Sequence, residues 1–364
     1  MSLSHTPARP APGGEPTMPR FAAELERLGL AEFLASFPGD SVDCHRWAHA
    51  AETLDGVLRD LVELLLLGRP VAIELLPVPV RDAVPTLIDH GVAVRQGSDV
   101  QLVDVSLLRV QATWLFAEPP SPFLPRHYFG ADSINLARRA VYRPLARVLD
   151  LCAGPGFQGL VAAQRCERVT MVELLPEAAA AARLNAEMNG LSDRVEVLVG
   201  DVYEPLPDHV SYDHIVANIP FLPTFSAQEP TGARAGGADG FAVGRRVLDG
   251  LPRYLEPGGT AHLTALLLHA DGRLLLEEEL RSWARSAECG LTVTLTDRMP
   301  VDAESALVQT TTSQFQETEG HADPDTLHAE VTAMYARDGA TGARLAYLRI
   351  DHGASGIRIL DPTP

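Results

Sequence analysis

Two short stretches carry residue types that could do chemistry. In YDHIVANIPFLPT an apolar, strand-like run stops at Asn218, Ile219, Pro220 and Phe221. In VLDLCAGPGFQG, Gly154, Gly156 and Gly159 stand in the GxGxxG spacing between a strand-like run and a helical one, the context that gives that spacing meaning. Glycines there let the backbone turn tightly and approach a ligand with no side chain in the way. An amide at a strand end suits a planar nitrogen nucleophile. The Asn218 oxygen can accept one proton of an incoming NH2, and the Ile219 carbonyl can accept the other with Pro220 holding the turn. Phe221 then offers a face on which a flat group stacks. Such a site works by positioning and by stabilising charge that grows on nitrogen. An Asn that simply caps the following turn is the competing reading.

Three carboxylates, Asp150, Glu173 and Asp201, end or follow successive strand-like runs. A glycine loop of this kind serves dinucleotide sites, S-adenosylmethionine sites and plain strand-to-helix turns alike. Asp150, just before the loop, would repel a pyrophosphate by roughly 4 kcal/mol per close pair at intermediate dielectric. It would instead attract the ammonium and sulfonium of S-adenosylmethionine. Glu173 can accept both ribose hydroxyls, as acids do in dinucleotide folds, so it does not discriminate. Asp201 can accept from an adenine amino group with Val202 against the ring. For each acid the alternative is a solvated strand-end residue. Their recurrence at successive carboxyl ends favours binding for Glu173 and Asp201.

The elements that would position these residues follow from periodicity. RVLDLC, RVTMVE, RVEVLVG and HIVAN are apolar runs alternating with helical stretches that begin near Gly156 and in PEAAAAARLNAEMNG. That alternation predicts a doubly wound α/β domain whose parallel sheet is covered on both faces. A helix in GRRVLDGLPRYL, a strand in TAHLTALLL, a helix in LLLEEELRSWARSAE and a strand in LTVTLTD continue it. An excursion over 300–343, with the helix-like DTLHAEVTAMYARDG, precedes a last strand in RLAYLRI. Upstream, helical spacing in FAAELERLGLAEFLASF and TLDGVLRDLVELLLLG, then a short helix and two strands around QGSD, suggest a winged-helix-like α+β module over 20–120. The Pro-rich EPPSPFLPR separates it from a catalytic domain expected over 125–364. Two domains, each with its own core, fit a chain of 364 residues.

Composition narrows the partners. The formal charge is -18 and all 30 basic residues are Arg, a poor balance for neutralising phosphates. A small-molecule, peptide or protein substrate is therefore favoured over nucleic acid. Residues 1–19 read as a disordered tail without the apolar centre of a signal peptide. LVELLLLG contains a Glu and falls well short of the ~20 residues of a membrane helix, so no membrane is expected. Cys44, Cys152, Cys166 and Cys289 lie far apart, as reduced thiols of a cytoplasmic chain do. His45 and His49 beside Cys44 could hold a metal, but without a second ligand pair an ordinary helix face is expected and no metal site.

With these residues in place, the sequence resembles the class I S-adenosylmethionine-dependent methyltransferases over roughly residues 125–300. VLDLCAGPG resembles their first motif, VELLPEA their second and GDVYEPL their third. The resemblance implies a seven-stranded Rossmann-like sheet, S-adenosylmethionine as cofactor, and cofactor contacts from Cys152, Ala153, Gly154, Glu173, Leu174, Asp201 and Val202. NIPF resembles the NPPY or NPPF motif of amino-methyltransferases that modify adenine, guanine or a protein glutamine amide. GGADGFAVGRRVLDGLPRYLEPGG resembles the glutamine branch that modifies peptide release factors. Ile219 replaces the first Pro, restoring an N–H and a freer φ, so the turn is less rigid. RHYFGADSINLARR resembles a segment lying over the cofactor in related enzymes. Tyr128 and Asp132 are candidate contacts there, though Asp132 could equally cap a helix starting at Ser133. The implied activity is methyl transfer to an amide or amino nitrogen of a protein, peptide or metabolite, with a nucleic-acid base as the alternative acceptor.

Overall fold

The computed structural model describes residues 16–37, 44–118, 127–224, 236–319 and 323–362. Most of the expected amino-terminal tail, and most of the Pro-rich boundary, lie outside the described residues. Helix α1 (Thr17–Arg27) begins within the residues expected to be tail and buries Met18. Helices α2 (Leu30–Ala35), α3 (Cys44–Ala51) and α4 (Gly56–Leu61) follow, the last running on into a π turn at Val62–Leu66. Strand β1 (Val71–Ala72), helix α5 (Val78–Asp89) and the hairpin of β2 (Ala93–Gln96) and β3 (Asp99–Leu102) make a three-stranded sheet in the order β1-β3-β2. The sequence reading missed a second hairpin, β4 (Ser106–Val110) with β5 (Thr113–Ala117).

Helix α6 (Ala131–Arg139) then leads into the central alternation: β6 (Arg147–Leu151), α7 (Phe157–Ala163), β7 (Arg168–Glu173), α8 (Pro176–Met188), β8 (Val195–Val199) and β9 (Tyr212–Ala217). Pro176 opens α8 at a position where its missing N–H costs nothing, and the alanines behind it are strong helix formers. Strands β6, β7 and β9 are buried almost end to end, which is why they read as unbroken apolar runs. Next come α9 (Ala242–Tyr254), β10 (Leu255–Ala270), β11 (Arg273–Leu274), α10 (Glu277–Ser286) and β12 (Cys289–Pro300). Helices α11 (Ala306–Glu319) and α12 (Pro324–Tyr335) fill the excursion before β13 (Gly342–His352) and β14 (Ile357–Leu360).

The sheet runs β14-β12-β13-β10-β9-β6-β7-β8, with β13 antiparallel between β10 and β12. Seven of these strands form the expected Rossmann-like sheet. Beyond expectation, β14 adds a parallel edge strand on β12, and β11 folds back on β10. From β6 the chain goes first to β7 on one side and later to β9 on the other. That reversal opens a crevice at the carboxyl ends of the strands, where ligands bind in open α/β sheets.

The two parts do not have separate cores. One apolar cluster runs from Phe21, Leu65 and Phe116 through to Leu160, Met171 and Leu184. The seam is polar and specific: Asn185 and Asn189 on α8 each accept from and donate to the backbone of β5, at Phe116 (2.8 and 3.1 Å) and Trp114 (2.9 and 2.7 Å). Two amides thus pair an otherwise unpaired strand edge, leaving its backbone groups satisfied.

Candidate active site

Strand β6 ends in a turn whose backbone is left-handed at Cys152, Gly154 and Gly156 (φ 55, 55 and 90°). Cys152 is the costly member, since a side chain disfavours that region. Two bonds hold the turn against the end of β7: Ala153 N donates to Val172 O (3.1 Å) and Gly154 N donates to Glu173 Oε2 (2.8 Å). The other Glu173 oxygen accepts from Leu175 N (2.8 Å). Burial raises the Glu173 pKa above the usual carboxylate value, with these backbone donors opposing it.

Asp150 departs from the expected role. It is fully buried beneath the loop and its Oδ2 accepts from Gly159 N (2.8 Å), while Oδ1 has no hydrogen-bond partner among the described residues. Burial pushes its pKa up to about 8, against the opposing Gly159 bond. Asp150 therefore braces the start of α7 and does not line the crevice, so it cannot meet the charges of a ligand there. Gly156 and Gly159 are absent from the lining as well. A Cβ on Gly159 would come within 2.4 Å of Met171 Cε, and one on Gly156 within 3.0 Å of Met171 Sδ. Close packing of α7 on β7 accounts for both glycines, and at Gly156 the left-handed backbone (φ 90°) requires one as well.

The crevice is lined by Cys152, Ala153, Gly154, Glu173, Leu174, Asp201 and Val202 from the predicted set, together with Tyr128, Asn218 and Pro220. Asp201 is partly engaged, since Arg246 Nη2 on α9 stands 2.8 Å from its Oδ2. Val202, like Cys152, has a positive φ (52°). Sequence reasoning missed Ser133, Pro155, Phe157, Gln158 and Val243. Pro155 and Phe157 interleave the glycines and were recoverable from adjacency. Val243 lies 25 residues beyond Asn218 and gave no signal.

Asn218 directly follows β9 and is half-buried at the junction of this crevice with a second cavity of ≈180 Å³. That cavity is lined by Tyr128, Asn218, Ile219, Pro220, Phe221, Leu222 and Gln314. The Asn218 amide is held on both sides. Its Nδ2 donates to Asp132 Oδ2 and Ser133 Oγ, both at 3.0 Å, and its Oδ1 accepts from Thr264 Oγ1 on β10. A carboxylate accepts only, so it fixes which face of the amide is NH2. Tyr128 Oη donates to the other Asp132 oxygen (2.6 Å). Both expectations for Asp132 thus give way. Helix α6 begins at Ala131 with Gly130 as its N-cap, so Asp132 sits in the first turn. Its buried carboxylate points to Tyr128 and Asn218, outside the crevice lining. Ile219 is buried in the apolar cluster of Leu151, Ala217 and Phe241.

Residues 133–284 match the family described as the methyltransferase small domain. This segment is similar to a methyltransferase domain. Its relatives include the release factor glutamine methyltransferase of Geobacter sulfurreducens, 36% identical over 155 residues, 40% of this chain and 53% of that protein. The ribosomal protein uL3 glutamine methyltransferase of Burkholderia pseudomallei is 30% identical over 197 residues, 48% of this chain and 64% of that protein. The chain thus spans about half to two thirds of the length of these two relatives. The YcgJ protein of Bacillus subtilis is similar at 16% identity and a TM-score of 0.41, over 62% of this chain and 100% of that one. The donor of such a methyltransferase domain is S-adenosylmethionine, and the crevice fits it. Glu173 and Asp201 put two acids on neighbouring strand ends, and Val172, Leu174 and Val202 supply apolar walls. No helix among the described residues is long and apolar enough to cross a membrane.

Proposed function

We propose that this chain transfers a methyl group from S-adenosylmethionine to the side-chain amide nitrogen of a protein. The observation that carries the reading is the fixed Asn218 amide where the cofactor crevice meets the ≈180 Å³ cavity. Both cavities share Tyr128, Asn218 and Pro220 in their linings, so an acceptor group entering the second one meets the cofactor crevice at Asn218. Bound S-adenosylmethionine supplies an electrophilic methyl carbon on a sulfonium. The chain's own residues do the rest by orientation. Asn218 Oδ1, already accepting from Thr264, keeps a second acceptor direction for an incoming NH2. Asp132 and Ser133 hold the opposite end of the amide, so this oxygen cannot swing away. Phe221 and Pro220 wall the cavity with flat apolar surface. The gain comes from holding nitrogen in line with the methyl carbon; as the N–C bond forms and the C–S bond breaks, S-adenosylhomocysteine is the leaving group and the nitrogen gives up one proton to solvent.

The relatives are named for release factor and ribosomal protein uL3, and these two are the acceptors to try first. Radiolabelled methyl transfer is measured with purified bacterial release factor, with uL3 and with ribosomal RNA as separate acceptors. Label in a protein glutamine supports the reading, whereas label confined to RNA, or in no acceptor, overturns it. In the same assay Asn218→Ala loses turnover by about 100-fold, the order of one well-placed polar group. Its affinity for S-adenosylhomocysteine, read by calorimetry, stays within a few-fold.

A further inference from the structure

We propose that the α11–α12 pair is the acceptor-selecting element of this site, and that Gln314 is the specificity residue that hydrogen-bonds the amide head of the inserted side chain. The proposal rests on the amide-methylation reading above. The pair is inserted between β12 and β13, which are antiparallel neighbours that a short turn could join. Its apolar face is built onto the acceptor motif: Phe221 and Leu222 pack on the cluster that contains Val308, Phe315, Val331 and Tyr335. The two helices are tied to each other by a hydrogen bond between Thr311 Oγ1 and Tyr335 Oη (3.0 Å). They are tied to the motif's return loop as well. Arg337 Nη1 donates to Ala238 O (2.5 Å), and in that loop Gly236 N donates to Leu222 O (2.9 Å).

Val308 and Phe315 on α11 face the apolar cluster, so core packing alone would make the inward stripe apolar throughout. Thr311 and Gln314 both break that pattern, and of the two only Gln314 lines the cavity. It is 7% exposed, a burial unusual for glutamine, and among the described residues lining the cavity it is the one polar side chain contributed by the insertion. A buried amide can both donate and accept, which matches an acceptor carrying C=O and NH2 on one carbon. Asn218, just beyond β9, and Gln314 on α11 then face the same cavity from separate elements, so selection of the side chain depends on how α11 is seated.

The test uses acetyl-glutamine N-methylamide as the minimal acceptor at millimolar concentration, with acetyl-asparagine N-methylamide for comparison, in the radiolabelled methyl-transfer assay. Gln314→Leu, close in volume, is expected to raise KM for the glutamine probe roughly fivefold to tenfold, the loss of one net hydrogen bond. Its kcat stays within about twofold and its S-adenosylhomocysteine affinity is unchanged. Ser313→Leu, on the exposed face of the same helix, should leave all three quantities unchanged. Transfer by the wild type with the same KM in Gln314→Leu overturns the role of Gln314 while leaving amide methylation standing. Absence of transfer by the wild type to either probe, when a protein acceptor is labelled, overturns direct reading of the amide head by Gln314; absence with the probes and with the protein acceptors overturns amide methylation as well. A Gln314→Leu variant that loses S-adenosylhomocysteine binding would mark Gln314 as a structural residue and also overturn the proposal.

Discussion

Replacing Asp132 by Asn separates a positioning carboxylate from a cofactor contact. The Asp132 carboxylate accepts from Tyr128 Oη at 2.6 Å through one oxygen and from Asn218 Nδ2 at 3.0 Å through the other. An amide offers one acceptor oxygen, so Asp132→Asn satisfies one partner and presents NH2 to the other. If the oxygen stays with Tyr128, two NH2 groups oppose each other and the Asn218 amide must turn. The lost bond to a charged acceptor is worth about 1.5–3 kcal/mol. At about 1.4 kcal/mol per tenfold in rate, the full loss lowers turnover by roughly 10- to 150-fold. Asp132 does not line the crevice, so calorimetry with S-adenosylhomocysteine should return the wild-type affinity within about twofold. Initial rates at saturating donor read the first number and calorimetry the second. Unchanged turnover would refute the positioning argument. An affinity loss matching the rate loss would return Asp132 to direct contact with the cofactor.

Three further outcomes follow from the same geometry. Glu173→Gln sets an NH2 against one of the two backbone N–H groups, at Gly154 or Leu175, that the carboxylate now accepts. It should weaken S-adenosylhomocysteine binding at least tenfold by calorimetry. Because burial raises the folded pKa of Asp150 to about 8 from the ordinary 3.8, the folded state binds the extra proton, and stability declines as pH rises from about 4 to about 8. Asp150→Asn mimics the neutral acid, so thermal unfolding from pH 5 to 8 should show the variant gaining on the wild type as pH rises, by of order 1 kcal/mol per unit. Gly159→Ala drives a methyl into Met171 and should cost about 1–3 kcal/mol in urea unfolding, as overpacked cores do.

The central domain was legible because its chemistry is local. A strand buried on both faces must be apolar along its length, and a loop that turns at positive φ into a helix selects glycine. RVLDLC, RVTMVE and AGPGFQG therefore announced themselves, and Glu173, Asp201 and Asn218 fell at the strand ends where the crevice opens. The glycines were read correctly as necessary but for an incomplete reason, since Met171 presses on two of them from a neighbouring strand. No sequence pattern encodes that contact.

By itself, then, the sequence determined the alternation of elements, the glycine turn and the acids that end the strands, because each depends on the backbone and on near neighbours. The tertiary structure alone decided which acids face the crevice. Asp150 and Glu173 are both strand-end carboxylates, yet one lies sealed under a helix and the other borders the crevice. It also decided that Asp132 of α6, Thr264 of β10 and Gln314 of α11 meet around Asn218 or its cavity. Those side chains are separated by 46 residues or more along the chain from Asn218. Their meeting depends on how sheet and helices pack, which is a property of the whole core and of no single stretch.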